Sequence, residues 1–179
     1  AAGPVQAEYD YDAKGNRKTM RYPQSGIETS YEYNDAGCIV FLENKRAGAM
    51  ISAWKYGYDV NGNVLSKTDL TGSLPSATTY RYDRLGRLTE EDCPGWKRVF
   101  YTYDAYSNRE KMMVEGWVKE EPVSVTNYWY DRANRLEKEV RKQGKTTETY
   151  RYYDDNAGNQ TIRLLETTSP TPDRPGAIK

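Results

Sequence analysis

One motif returns seven times along this chain, Tyr-x-Tyr-Asp-x-x-Gly-Asn/Arg, with successive first tyrosines 22, 25, 24, 21, 27 and 22 residues apart. Such a period marks a repeat architecture in which each unit buries its face against its neighbours. The first four copies carry Tyr9, Tyr11, Asp12 and Gly15; Tyr31, Tyr33, Asn34 and Gly37; Tyr56, Tyr58, Asp59 and Gly62; Tyr80, Tyr82, Asp83 and Gly86. The fifth has Tyr101, Tyr103 and Asp104 with Ser107 in the glycine's place, and the sixth has Tyr128, Tyr130 and Asp131 with Asn134 there. The seventh reads Tyr150, Tyr152 and Gly158, with one extra residue ahead of the glycine.

Each position has a physical meaning. Residues two apart on a strand point to one face, so Tyr-x-Tyr places both rings together. Asp followed three residues later by Gly suits a type I turn. A left-handed residue at the Gly position closes a hairpin with a bulge, which Asn tolerates next best. Ser107 suits it least, so the fifth turn is expected to be distorted. Beyond four of the turns a return strand begins at Ile39, Val64, Leu88 and Leu136. The outer loops, at 23–26, 71–75, 93–95 and 143–144, absorb the variation in repeat length. The expected fold is all-β: a continuous antiparallel meander of about seven hairpins, or fourteen short strands, twisted or spiralling. The stretch 132–142 is rich in helix formers, yet Leu136 and Val140 fit the sixth return strand, and it reads as strand.

By this reading residues 1–8 lead in, 9–165 hold the repeats, and 166–179, with Pro170, Pro172 and Pro175, form a tail or linker. Ala1 to Glu8 is neither apolar nor basic enough for a signal peptide. No apolar run approaches the roughly 20 residues that span a bilayer.

Composition agrees with a thin fold. Only 37% of the residues are apolar, mean hydropathy is −0.96, and 17 tyrosines stand against two phenylalanines. Half-polar rings must therefore do most of the burying. The 26 basic and 26 acidic residues are interspersed, with no basic stretch to follow a phosphate backbone, so nucleic acid is not an expected partner. Two cysteines exclude a disulfide framework. Cys38 sits beside a turn and Cys93 in a loop at the opposite end of a hairpin, so both are read as free thiols.

The chain has no histidine, which excludes a Ser-His-Asp triad and imidazole metal ligation. Asp12, Asp59, Asp83, Asp104 and Asp131 would line one rim, where each is read as capping its own turn. Asp154 and Asp155 would point to opposite faces, and EF-hand spacing is absent. No cofactor is expected. The fourteen tyrosines at Tyr-x-Tyr positions form two rows, read as a packed ladder in preference to an exposed platform for sugars. Trp96 and Trp117, in outer loops, are the candidate ligand contacts.

Over Tyr9 to Leu165 the motif resembles the YD repeats of Rhs proteins, which also occur in bacterial wall-associated proteins, insecticidal toxin complexes and teneurins. The resemblance implies a long sheet spiralling into a hollow shell, which in large bacterial members encloses a carboxy-terminal toxin. It implies a secreted or cell-surface parent, and the family has also been linked to carbohydrate. Two departures stand out: no counterpart of the family's self-cleaving core segment follows the repeats, and seven copies are too few to close a shell. The expected function is a non-enzymatic scaffold module of a larger parent chain, with an enclosed toxin domain as partner. The rival is a carbohydrate-binding or adhesion module, and a paired-carboxylate hydrolase comes third. An open meander also leaves two bare edges, to be covered by the tail or by edge-to-edge self-association.

Overall fold

The computed structural model describes residues 6–72, 76–116 and 122–169. Trp117 and the proline-bearing end of the tail lie outside the described residues. Among those described there is no helix, and the fold is all-β. The chain divides into two compact units, Ala1–Pro94 and Gly95–Lys179.

The first unit holds β1 (Glu8–Tyr11), β2 (Arg17–Tyr22), β3 (Ile27–Tyr33), β4 (Ile39–Arg46), β5 (Ala49–Tyr58), β6 (Val64–Asp69), β7 (Ser76–Tyr82) and β8 (Leu88–Cys93). The second holds β9 (Lys97–Tyr103), β10 (Arg109–Gly116), β11 (Pro122–Tyr130), β12 (Leu136–Gln143), β13 (Thr146–Asp154) and β14 (Gln160–Thr168). Within each unit every strand pairs antiparallel with its sequence neighbours, so the meander runs in strict chain order. The stretch 132–142, rich in helix formers, forms no helix: 132–135 is turn and the rest is strand, in β12.

Strand alternation is visible in burial. In hairpins two to six the motif tyrosines are half-buried, while Glu32, Arg81, Thr102 and Trp129 between them are exposed. Among the described residues no large side chain is fully buried, and the most buried are small: Ala53 (1%), Val99 (2%), Thr126 (4%), Thr29 and Ser124 (5%). Thr29 Oγ1 donates to Asn44 Oδ1 at 2.7 Å, and Asn44 Nδ2 donates to Ser52 Oγ at 2.9 Å. These three residues sit opposite one another on β3, β4 and β5. A slip of one residue would orphan all three, so this polar chain pins the register.

A second regularity is carried by no residue type. In all seven hairpins the ladder slips by one at the same place, three residues beyond the left-handed position: at Lys18, Val40, Leu65, Thr89, Glu110, Glu137 and Thr161. Each is a β-bulge, which disrupts the ladder locally and increases twist.

Two sequence expectations need correction. The fifth turn is not distorted: Ser107 takes φ +68°, its N–H reaches the Asp104 carbonyl at 3.1 Å, and Asp104 N–H reaches the Asn108 carbonyl at 2.9 Å. The same two bonds close the other turns, so the caps described below hold Ser107 in the left-handed well despite its Cβ. Cys93 ends β8 and is buried in place of lying in a loop, because it stands opposite Thr78 on the tyrosine-bearing face. Neither cysteine is in a disulfide. An outer turn without a sequence expectation sits at Ala47–Gly48, with φ +49° and +82°. Two consecutive left-handed residues are the geometry of a tight two-residue hairpin loop.

Candidate functional site: the turn rim and the hairpin junctions

The turns are built by carboxylates. Asp12 Oδ1 accepts the N–H of Lys14 (2.9 Å) and of Asn16 (2.8 Å), while its Oδ2 accepts Asn16 Nδ2 (3.0 Å). Asp59 does the same with Asn61 and Asn63, and Asp104 with Tyr106 and Asn108. Asp83 and Asp131 replace the amide with Arg87 Nε and Arg135 Nε, each at 2.7 Å. This explains why Asn and Arg alternate at the last motif position: both present a donor that reaches back to the free carboxylate oxygen. In the second hairpin Asn34 Oδ1 holds Cys38 N–H at 2.9 Å.

These bonds favour the ionised form and hold five carboxyls below their ordinary value of 3.8. The largest cause is the side-chain amide of Asn16 for Asp12 and of Asn63 for Asp59. For Asp83, Asp131 and Asp155 it is the backbone N–H of Arg87, Arg135 and Asn159. Carboxylates so engaged are poor general acids. Among the described residues no group of three or more Cys, Asp or Glu is placed to hold a metal ion.

The seventh copy is in a different register from the one its spelling suggests. Asp155 is the capping residue, accepting Ala157 and Asn159 N–H at 2.9 Å, and Gly158 N–H reaches the Asp155 carbonyl at 3.0 Å. Counting back, Tyr152 fills the first tyrosine position, Asp154 the second, and Tyr150 precedes the motif. There is no extra residue; there is an aspartate where a tyrosine should be.

That exchange matters because the second tyrosine joins one hairpin to the one before it. Tyr33 Oη donates to the Arg17 carbonyl (2.8 Å), Tyr58 to Ile39 (2.6 Å), Tyr82 to Val64 (2.9 Å) and Tyr130 to Arg109 (3.0 Å). The acceptor is always the residue just before the bulge. Its strand stops pairing with the next hairpin at this point: the last partners are Thr19 with Ser30, Phe41 with Lys55, Ser66 with Thr79, and Lys111 with Asn127. Beyond them the two hairpin tips part, and the hydroxyl spans the gap, satisfying a carbonyl that lies past the end of the ladder between the hairpins. Burial raises the pKa of Tyr33, Tyr58, Tyr82 and Tyr130, so they remain protonated donors.

Where tips part, grooves form. The first junction holds a recess of about 590 Å³ lined by Lys14, Lys18, Glu32 and the motif residues Tyr31 and Tyr33. The equivalent recess at the fifth junction, about 660 Å³, carries Tyr106, Glu110 and Trp129 at the same three positions. Tyr106 is 77% exposed and Trp129 41%, and the Lys138 ammonium lies 4.0 Å from the centroid of the Trp129 ring. Trp96, in the β8–β9 loop, is 70% exposed, with the Lys97 ammonium 4.5 Å over its ring. No described contact joins Trp96 to the motif.

What repeats is thus a bonded unit as well as a spelling, and the class of protein is a tandem array of YD-type β-hairpins. The chain belongs to the teneurin YD-shell family, whose model matches residues 2–115. It is 32% identical over 150 residues to the tRNA3(Ser)-specific nuclease WapA of Bacillus spizizenii, covering 82% of this chain and 6% of that protein. Among solved structures, the crystal structure of TcdB2-TccC3-Cdc42 superposes with TM-score 0.70 at 18% identity, over 94% of this chain and 9% of the other. The Photorhabdus luminescens Tc holotoxin pore carrying TccC3-D651A superposes with TM-score 0.57 at 14% identity, over 89% and 11%. The structural likenesses show the fold. The chain thus spans only about a tenth or less of each of these proteins, and its relation to Rhs-type and toxin-complex YD-shell proteins is one of architecture.

Proposed function

We propose that this segment is a non-enzymatic piece of shell wall in a larger secreted or cell-surface protein, acting as scaffold for other parts of the parent chain, an enclosed toxin domain among them. The observation that carries this reading is the hairpin junction: the rim carboxylates and the hydroxyls of Tyr33, Tyr58, Tyr82 and Tyr130 are engaged in holding one hairpin closed and the next in place. The nuclease activity in the relative's name is assigned to some other part of such a parent, since this chain lacks histidine and corresponds to 6% of that protein.

A second reading, carbohydrate binding, is favoured at the fifth junction, where Tyr106 and Trp129 stand exposed beside Glu110 and Asn127 in one groove. Aromatic faces with a few hydrogen-bonding groups suit a sugar ring, and the volume is in the range of ligand pockets. Trp96 and Trp117 remain candidates of the same kind.

Fluorescence quenching by a neutral solute, with and without a panel of polysaccharides, tests both readings. The scaffold reading expects quenching that no polysaccharide alters. Protection by one glycan, lost in Trp129→Ala or in Trp96→Ala, would put the binding reading first. Turnover of RNA or polysaccharide by the purified chain would overturn both.

A further inference from the structure

Past the last ladder pair of the fifth junction, Lys111 with Asn127, strand β11 runs on with one side open. Tyr128, Trp129 and Tyr130 pair with β12 but not with β10, and all three line the groove on that side. The Tyr130 hydroxyl bridges to the Arg109 carbonyl, and Asn108 Nδ2 donates to Asn134 Oδ1 at 3.0 Å. Both hairpin tips are thus held, and the recess between them has a short open strand edge along one wall. Such an edge matches the alternating N–H and C=O groups of an extended peptide.

Three side chains set this groove apart from its counterparts. Tyr106, Glu110 and Trp129 stand where the first junction has Lys14, Lys18 and Glu32. The second has Ala36, Val40 and Gly57 there, and the third Asn61, Leu65 and Arg81. Only the fifth sets two exposed rings with a carboxylate. Glu110 is exposed and makes no ion pair among the described residues, whereas Asp104 and Asp131 are engaged in turn caps. Against these three carboxylates the groove lining holds one cation, Arg132. The Trp129 ring already attracts a cation from outside the groove, since Lys138, at 4.0 Å from its centroid, belongs to β12. An aromatic face draws a cation by its quadrupole, and in water the repulsion between two cations across one ring is small.

We propose that the groove of the fifth junction binds an extended peptide through one arginine side chain. The guanidinium lies against Tyr106 and Trp129 and pairs with Glu110, while the peptide backbone follows the open edge of β11. Arginine is favoured over lysine because its planar head stacks on a ring and still presents N–H donors to a carboxylate. The inference goes beyond the scaffold reading and does not depend on it. It also gives the groove a ligand different from the sugar of the second reading.

A chemical-shift titration of the full chain with the blocked tripeptide acetyl-Gly-Arg-Gly-amide tests it. The same peptide with citrulline in place of arginine, equal in shape and uncharged, is the comparison. The Trp129 indole N–H and the Glu110 amide are expected to shift with the arginine peptide, and severalfold more weakly with citrulline. Glu110→Gln, at an exposed position, should weaken the arginine peptide severalfold and leave the citrulline peptide unchanged. Trp129→Ala should abolish the response, and Trp96→Ala should leave it intact. Far-UV circular dichroism confirms that each variant retains its strands. No shift at Trp129 or Glu110, equal binding of the two peptides, or an arginine affinity unaltered by Glu110→Gln would each overturn the inference. A glycan that shifts these signals where the arginine peptide does not would overturn it as well, and would give the groove to the sugar.

Discussion

The second hairpin junction and the sixth share a strand register and differ at the second tyrosine position. At the second, Tyr58 lies half-buried between hairpins and its hydroxyl satisfies the Ile39 carbonyl at 2.6 Å. At the sixth, Asp154 occupies that place and approaches Arg135 Nε at 3.5 Å, while Tyr152 Oη turns to Glu139 Oε1 at 3.0 Å. The strand register is the same at both, Phe41 with Lys55 and Lys138 with Arg151. Pairing therefore does not need the tyrosine; what the tyrosine adds is a ring in the gap and a bond across it. A partly exposed ion pair replaces both with an interaction that water screens, so the seventh hairpin should open first.

The largest contrast is expected from truncation. Tyr58→Ala removes a half-buried ring and orphans a carbonyl, a loss of about 2–3 kcal/mol, whereas Asp154→Ala should cost less than about 0.5 kcal/mol. Denaturant titration followed by hydrogen exchange, hairpin by hairpin, measures both, and equal losses would mean that the tyrosine bridge is incidental. The reverse substitution sharpens the comparison. Asp154→Tyr places a hydroxyl opposite the Leu136 carbonyl, the acceptor that the rule of the other junctions designates. A gain of about 1 kcal/mol is expected, read as slower exchange in β13 and β14 and unchanged exchange in β3 to β6. Unchanged protection in β13 would show that the acceptor is out of reach.

The sequence made the hairpins legible and left their joints obscure, for a physical reason. Turns need particular residues: an Asp at the start, a left-handed Gly three later, and strands of period two between them. Bulges at Lys18, Val40, Leu65, Thr89, Glu110, Glu137 and Thr161 need only an extra residue, and nothing chemical unites those seven. The tyrosine hydroxyls could be counted but not aimed, because their acceptors are backbone carbonyls that no side chain announces. The seventh copy was misread because Asp154 and Asp155 are adjacent and only the hydrogen bonds show which one caps. The groove aromatic Trp129 sits at the spacer position of Tyr-x-Tyr, where Glu32 and Arg81 stand elsewhere. A large aromatic at that position, where the first five copies carry charged or small residues, was the available signal. The Ala47–Gly48 turn had only its glycine to mark it.

A smaller effect separates the fifth turn from its neighbours. Ser107 bears the left-handed conformation at a cost glycine does not have, offset in part by glycine's greater freedom when unfolded, so Ser107→Gly should add about 0.5–1 kcal/mol. Asn134→Gly should add less, since Asn accepts that conformation more readily. Thermal unfolding of the two variants ranks them, and the reverse order would mean that the Asp104 cap has already relieved the serine.

The smallest expected effect sets the second turn against the third, and it is one of pH. Asp59 has a folded pKa below its ordinary 3.8, held down first by the Asn63 side chain. Such a carboxylate contributes stability that is present above the unfolded pKa and is lost as pH falls through the folded one. Asn34 makes the corresponding bond to Cys38 N–H with a group that does not titrate. Lowering the pH below about 4 should therefore release the Asn61 and Asn63 amides to exchange, while the Cys38 amide keeps its protection. Asp59 is partly exposed and its charge is screened by water, so the change belongs to the turn and leaves the strands paired. Asp59→Asn is expected to make the third turn behave as the second does, with its acid response abolished and its protection at neutral pH slightly reduced. If both turns lose protection together in acid, the carboxylate cap is not what distinguishes them, and the loss must come from the junction that Tyr58 spans between the two hairpins.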